Sequence, residues 1–137
     1  MPDKIFIDTN VLIYSYSIDE LNKRKKVENL FNQHQELIIS TQVINEFINV
    51  MLKKRKLSAN ELNKFLEEIT EFFNISLITF STINDALKLL TRYKYSYFDS
   101  LIIANALEND CTILFSEDMQ HNQKINDRLM IINPFIE

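Results

Sequence analysis

The sequence predicts an α/β protein, a three-layer α/β/α sandwich with a short, mainly parallel central sheet. Three observations carry this. Short apolar runs such as Ile5-Phe6-Ile7, Leu37-Ile38-Ile39 and Met130-Ile131-Ile132 recur without polar alternation, as strands buried on both faces do. Longer stretches between them space their apolar residues for helices, and this alternation implies a parallel sheet covered by helices. The 137 residues are 46% hydrophobic and 25% charged, the make-up of one ordinary globular domain over 1–137.

Residues 4–8 read as a buried strand ending in an acid, and 9–17 as a turn or short helix with Val11, Leu12 and Ile13. Residues 19–33 form a polar, basic helix with Val27, Leu30 and Phe31 on one face. Residues 37–39 are a second strand. Residues 41–55 are helical, with Val43, Ile44, Phe47, Ile48 and Met51 in one stripe. Ser58 and Glu61 have the spacing of a capping box. Leu62, Phe65, Leu66, Ile69, Phe72 and Phe73 then follow helical spacing. Residues 75–78 are a third strand. Thr82 and Asp85 are expected to cap a helix carrying Ile83, Leu87 and Leu90. Residues 100–109 are apolar nearly all round, as in a buried helix. Residues 112–115 and 130–132 complete the strands, and Pro134 stops the last.

Composition removes several functions. There is no glycine, against about 7% in an average protein, so neither a dinucleotide-binding fingerprint nor a P-loop is possible. Turns must use Asn and Asp, which tolerate left-handed backbone best after glycine; the chain has 15 asparagines. One cysteine and two histidines are too few for an ordinary zinc site. Any metal needs oxygen ligands and is a hard cation. Cys111 has no disulfide partner and reads as a buried structural residue. The chain start lacks the apolar core of a signal peptide, and no run reaches a membrane span. The expectation is a cytoplasmic protein without membrane contact. The net charge is −4, yet Lys23-Arg24-Lys25-Lys26 and Lys53-Lys54-Arg55-Lys56 hold eight of the fifteen basic residues. They are either solvated helix ends or patches for a phosphate backbone.

The acids fall in telling places. Asp8 ends the first strand, and Asp118 follows the strand at 112–115. Ligands of doubly wound sheets bind outside the carboxyl ends of strands, where the strand order reverses. Asp99 opens the buried helix and Glu46 lies early in another. Singly, each has another reading: Asp8 ends a strand, Ser96 and Asp99 form a helix cap, Glu46 is solvated, and Asp118 is a loop acid. Together they are carboxylates whose mutual repulsion a divalent cation relieves. An all-oxygen site suits Mg²⁺ or Mn²⁺, which can activate water against a phosphodiester without a histidine base.

Four segments in order resemble the motifs of PIN-domain ribonucleases. They are Ile7-Asp8-Thr9-Asn10-Val11-Leu12, Ser40-Thr41-Gln42-Val43-Ile44-Asn45-Glu46-Phe47, Tyr97-Phe98-Asp99-Ser100-Leu101-Ile102-Ile103-Ala104 and Phe115-Ser116-Glu117-Asp118-Met119-Gln120-His121. The closest subgroup is the VapC-type toxin of type II toxin–antitoxin modules. The resemblance implies a catalytic, metal-binding quartet of Asp8, Glu46, Asp99 and Asp118 around Mg²⁺ or Mn²⁺, with Asp8 and Asp99 the firmest ligands. It implies supporting roles for Ser116 and Asn10. It also implies an RNA substrate (tRNA, rRNA or mRNA), a small cognate antitoxin and a homodimer. The two basic runs and His121 are candidate RNA contacts. Asn122 stands where relatives often have glycine, and Glu117 competes with Asp118 for the fourth acidic position, with Asp118 matching the family. Tyr93, Tyr95, Tyr97 and Phe98 are stacking platforms for bases, core and partner packing residues, or, in the toxin reading, part of a groove for an antitoxin helix.

Other readings stay open. One is a PIN-fold RNA-processing nuclease without a toxin role. Another is an inactive protein-binding module, whose mark would be a missing acid; none is missing. A phosphatase or phosphoacceptor module is disfavoured. Asn10 stands where such a phosphatase needs a second aspartate, and Phe115-Ser116-Glu117 offers the phosphoacceptor module no lysine.

Overall fold

The structure, a computed structural model, describes residues 3–136; Met1 and Pro2 of the chain start and Glu137 at the end of the expected domain span lie outside the described residues. The strands are β1 (Lys4–Ile7), β2 (Glu36–Ser40), β3 (Asn74–Ser76), β4 (Ile113–Phe115), β5 (Lys124–Ile125) and β6 (Leu129–Ile132). They form one sheet in the order β3-β2-β1-β4-β6-β5. All neighbours are parallel except β5, which runs antiparallel to β6 at one edge. Ile5, Phe6, Ile7 and Ile39 are wholly buried, because helices cover both faces of the central strands. The helices are α1 (Thr9–Tyr14), α2 (Leu21–Gln33), α3 (Thr41–Lys54), α4 (Ala59–Phe72), α5 (Phe80–Tyr93) and α6 (Tyr97–Glu108).

The caps read from sequence form where side-chain oxygens meet unpaired helix N–H groups. Ser58 with Glu61 closes a capping box on α4, and Ser40, which the sequence did not single out, caps α3. Val43, Phe47 and Met51 bury the apolar stripe of α3. In α6 every residue from 100 to 106 is buried. A helix enclosed on all sides has no use for a polar face.

The buried helix expected over 100–109 runs Tyr97–Glu108, and three further expectations needed correction. The third strand lies at Asn74–Ser76 rather than at 75–78, and it is short. The β5 strand was not foreseen; two residues are too few for a periodic signal. Its turn to β6 passes through Asn126 and Asp127, both left-handed at φ 51° and 55°, with the Arg128 N–H closing on the Ile125 carbonyl at 3.0 Å. That backbone usually requires Asn-Gly. The third correction is α5. Its cap is Thr79, and Thr82 closes the capping box three positions on. The buried face is Thr82, Ala86 and Leu89, while Phe80, Ile83 and Leu87 are 79%, 37% and 52% exposed. Two apolar stripes compete on this helix, and the one facing the core includes small Ala86.

Without glycine, Asn and Asp take four of the six left-handed positions among the described residues; Lys56 and Lys94 take the others. Asn122 is one of the four, at φ 67°, so the residue in the place of a glycine adopts a conformation that glycine favours. Lys94 ends α5 at φ 67°, ψ 25°, where a Cβ is crowded by the following carbonyl. Lys94→Gly should therefore stabilise the protein by about 0.5–1 kcal/mol, after the extra chain entropy of glycine is subtracted. A urea midpoint that does not rise would contradict this.

Candidate active site

β1 lies between β2 and β4, so the chain order reverses between β1 and β4. The carboxyl ends of these two strands deliver Asp8 and Ser116. The Asp8 N–H bonds to the Phe115 carbonyl at 3.0 Å, which ties the two strand ends together. Asp8 then caps α1, its Oδ1 accepting the Thr9 N–H at 2.7 Å. Its Oδ2 accepts the Ser116 hydroxyl at 2.7 Å. Ser116 is itself buried, and its Oγ accepts the Met119 N–H. Both Asp8 oxygens are thus held in a site that is only 8% exposed.

The other acids approach from separate elements. Glu46, in the second turn of α3, accepts from the Thr9 hydroxyl at 3.1 Å and from the Gln42 amide at 2.8 Å. Asp99 lies in the first turn of α6, whose cap Ser96 accepts the Asp99 N–H. Asp118, past β4, accepts from Asn10 Nδ2 at 2.7 Å.

Their fields overlap. Burial raises the Asp8 carboxyl from 3.8 to about 6; the Ser116 and Thr9 hydrogen bonds oppose this, while Asp99 and Glu46 push it further up. Burial also raises Asp99, with Asp118 and Glu46 adding to the rise. The charges acting on Asp8 and Asp99 are all negative. Asp8, Glu46, Asp99 and Asp118 are therefore one electrostatic set without an internal counter-charge. Among the described residues, no three His, Cys, Asp or Glu side chains are close enough to hold an ion as they stand. The donor chemistry does fit a hard divalent cation. Every donor is a carboxylate oxygen, and each bound oxygen keeps a further lone pair.

Glu117 is committed elsewhere. It accepts from the Tyr14 hydroxyl and from Lys23 Nζ, each at 2.6 Å. Those bonds hold its carboxyl below the ordinary range despite burial, and Glu117 and Tyr14 hold the Lys23 ammonium above its own. Lys23 also lies over the Tyr14 and Phe135 rings.

The basic runs divide in the same way. Arg24 pairs with Glu28 and donates to the Ser17 carbonyl, and Arg55 donates to the Tyr16 carbonyl at 2.6 Å. Lys25 and Lys26 are exposed. Lys53 and Lys54 sit in the last turn of α3, favourable for its dipole, with exposed Lys56 just beyond. These three are at the opposite end of α3 from its Ser40 cap. His121 Nδ1 accepts the Asn133 N–H. In the aromatic cluster, the Tyr93 hydroxyl binds Asn126, and the Tyr95 hydroxyl binds Gln123 and the Gln120 N–H. Phe98, by contrast, is 62% exposed. Buried Cys111 has its thiol pushed up to about 12 by burial, which leaves it inert.

Sequence reasoning passed over Thr9, Gln42 and Tyr14. Gln42 had a signal, since it stands four residues before Glu46 on one helix face. Thr9 and Tyr14 had none, because their partners are 37 and 103 residues away.

Fold and site together define an α/β domain with a carboxylate cluster at the reversal point of its sheet. The PIN domain profile matches residues 5–125, and the chain belongs to the PIN domain family. None of the curated proteins compared matches the sequence. Among solved structures, the chain is similar to Mycobacterium tuberculosis VapC20, a Sarcin-Ricin loop cleaving toxin, at TM-score 0.69 and 16% identity, covering 84% of this chain and 92% of that one. A toxin–antitoxin complex from Klebsiella pneumoniae gives TM-score 0.69 at 20% identity, covering 96% and 98%. DNA-bound VapBC from Salmonella typhimurium gives 0.70 at 17%, covering 93% and 96%. At these identities the likeness establishes the fold.

Proposed function

We propose that this chain is a divalent-metal-dependent endoribonuclease, the toxin of a toxin–antitoxin pair acting in the cytoplasm. The observation that carries the reading is the overlap of four carboxylates, from four elements, at the reversal point of a PIN fold. The similar structures support it: one is a Sarcin-Ricin loop cleaving toxin and others are toxin–antitoxin complexes. Asp8, Glu46, Asp99 and Asp118 would hold Mg²⁺ or Mn²⁺, and Asp118 is preferred over Glu117 because Glu117 is committed to Lys23 and Tyr14. A cation held there would supply Lewis acidity and lower the pKa of an attacking water. The protein supplies aim. Ser116 and the Thr9 N–H fix Asp8, the Thr9 hydroxyl and Gln42 fix Glu46, and Asn10 fixes Asp118.

The test is incubation with total cellular RNA in Mn²⁺, in Mg²⁺ and in chelator, beside Asp8→Asn. Discrete fragments that need both metal and Asp8 support the reading. Persistent inactivity of partner-free protein would move weight to the inactive-module reading. Lys25 and Lys26 are the proposed backbone contacts of the first run. The double reversal Lys25→Glu, Lys26→Glu should reduce the salt slope of RNA binding by about two; an unchanged slope would make both solvated helix residues.

The proposed homodimer has a ready surface in the outward stripe of α5. Phe80, Ile83 and Leu87 follow helical spacing and stay exposed, and a matching stripe on a second copy would cover them. Phe80→Glu with Leu87→Glu should convert dimer to monomer in light scattering without lowering helix content. A mass unchanged by the substitutions would place the contact elsewhere.

A further inference from the structure

A cavity of about 420 Å³ adjoins the carboxylate cluster, lined by Gln42, Asn45, Glu46, Ile78, Phe98 and Leu101 among others. We propose that it is a nucleobase pocket, holding one unpaired base of the substrate beside the scissile phosphate by stacking it on Phe98. The proposal rests on the nuclease reading and gives it a determinant of specificity.

Four observations carry it. Glu46 is both a wall of the cavity and a member of the acidic set, so the cavity is continuous with the place of reaction. Its lining contains no lysine or arginine and does contain a carboxylate, which selects against a phosphate and for a neutral group. Ile78 and Leu101 give it apolar walls, and the volume is that of a small-ligand site. Phe98 is 62% exposed, although large aromatic rings are ordinarily buried. Tyr97 braces it at a centroid distance of 5.5 Å. An exposed, braced ring next to a catalytic centre is a stacking platform, and every base has a face to stack.

Gln42 positions this platform. Its amide nitrogen donates to Glu46 Oε1 at 2.8 Å and to the Phe98 carbonyl at 3.1 Å. Flipping the amide would set its oxygen against two acceptors, so the orientation is determined by its partners. One side chain thus couples the carboxylate to the backbone that carries the ring. Gln42 Oε1 is buried and has no partner among the described residues, so readout of a base edge falls to a side chain that reaches the cavity surface. Asn45 is exposed on the same wall and offers both a donor and an acceptor for edge readout.

The chain has no tryptophan, so Phe98→Trp introduces a single indole into the pocket. The experiment uses this variant in an Asp8→Asn background, which prevents cleavage. Single-stranded RNA oligonucleotides are titrated while binding is followed independently by anisotropy. The expected result is saturable quenching by base-bearing oligonucleotides that disappears when one position is made abasic. In the same assay Phe98→Ala should weaken binding about tenfold, with no change in thermal midpoint because the ring is exposed. Binding by anisotropy with an unaltered indole, or with unchanged affinity in Phe98→Ala, overturns the pocket and leaves the nuclease reading intact. An indole signal that follows protein concentration without RNA assigns Phe98 to a contact between copies and also overturns it. Neither RNA binding by this variant nor cleavage by the unaltered chain would remove both readings together.

Discussion

Asp8→Asn should stabilise the metal-free protein at pH 7.5 by about 1–2 kcal/mol while abolishing RNA cleavage. In the fold, burial and two neighbouring carboxylates raise the Asp8 carboxyl from 3.8 to about 6. In the unfolded chain it ionises near its ordinary value. Between these values the folded protein binds more protons than the unfolded one, so stability falls as pH rises. The contribution of the protonated group is complete below about 3.8 and is lost as pH passes through about 6. The full difference is roughly 3 kcal/mol. Asparagine removes that penalty but leaves the Ser116 hydroxyl without its acceptor, which returns about 1–2 kcal/mol. Urea unfolding in chelator should show the variant pulling ahead of the parent between pH 4.5 and 7.5. A gap that is constant across this range would mean that Asp8 is not the titrating group. A gain in stability with a loss of activity is the signature of a residue kept for chemistry at the expense of the fold.

Saturating Mn²⁺ or Mg²⁺ should raise the thermal midpoint by roughly 6–10 °C over chelator at pH 7.5. A ligand at a hundred times its Kd stabilises the native state by about 2.7 kcal/mol, and a domain of this size gains about 2–4 °C per kcal/mol. The shift should shrink as pH falls through about 6, because the cation must then displace a proton from Asp8. It should be largely absent in Asp8→Asn and in Asp99→Asn. A shift of equal size in either variant would place the cation elsewhere. No shift at all would mean that the free chain does not bind it.

Much of the fold was legible because its central elements carry local signals. Ile5-Phe6-Ile7 and Leu37-Ile38-Ile39 can be buried on both faces only inside a covered sheet, and they form its middle strands. The helix at 100–109 was legible from its missing polar face. Ser58 and Glu61 form their box through neighbours in sequence. For α5 the same reasoning failed. Ile83 and Leu87 are as apolar as a core face, but Ala86 and Leu89 are the residues that are buried, on a helix packed against α6. Periodicity identifies a helix; it does not say which of two apolar stripes turns inward.

The candidate site divides along the same line. Asp8, Asp99 and Asp118 could be picked out because each stands at the end of a strand or the start of a helix; Glu46, inside a helix, was marked by its place in the second PIN-like motif. Charge at the basic runs was legible, but its use was not. Lys23 meets Glu117 across 94 residues, and Arg55 meets the Tyr16 carbonyl across 39.

What the sequence determined by itself was the α/β alternation, the exclusion of glycine-loop and zinc chemistry, and the placing of candidate acids beside strand ends and in helices. These rest on composition and short-range spacing, where each residue's preference is independent of distant contacts. Tertiary structure decided that Asp99 and Glu46 act on Asp8 and that Asp118 and Glu46 act on Asp99, that the Asp8 carboxyl is pushed up to about 6, and that Glu117 is bound to Lys23 rather than free. It also decided which aromatic rings stay exposed, Phe98 and Phe80 among them. Those are properties of burial and of distances between segments far apart in the chain, and only the closed sheet, with its reversal between β1 and β4, sets them.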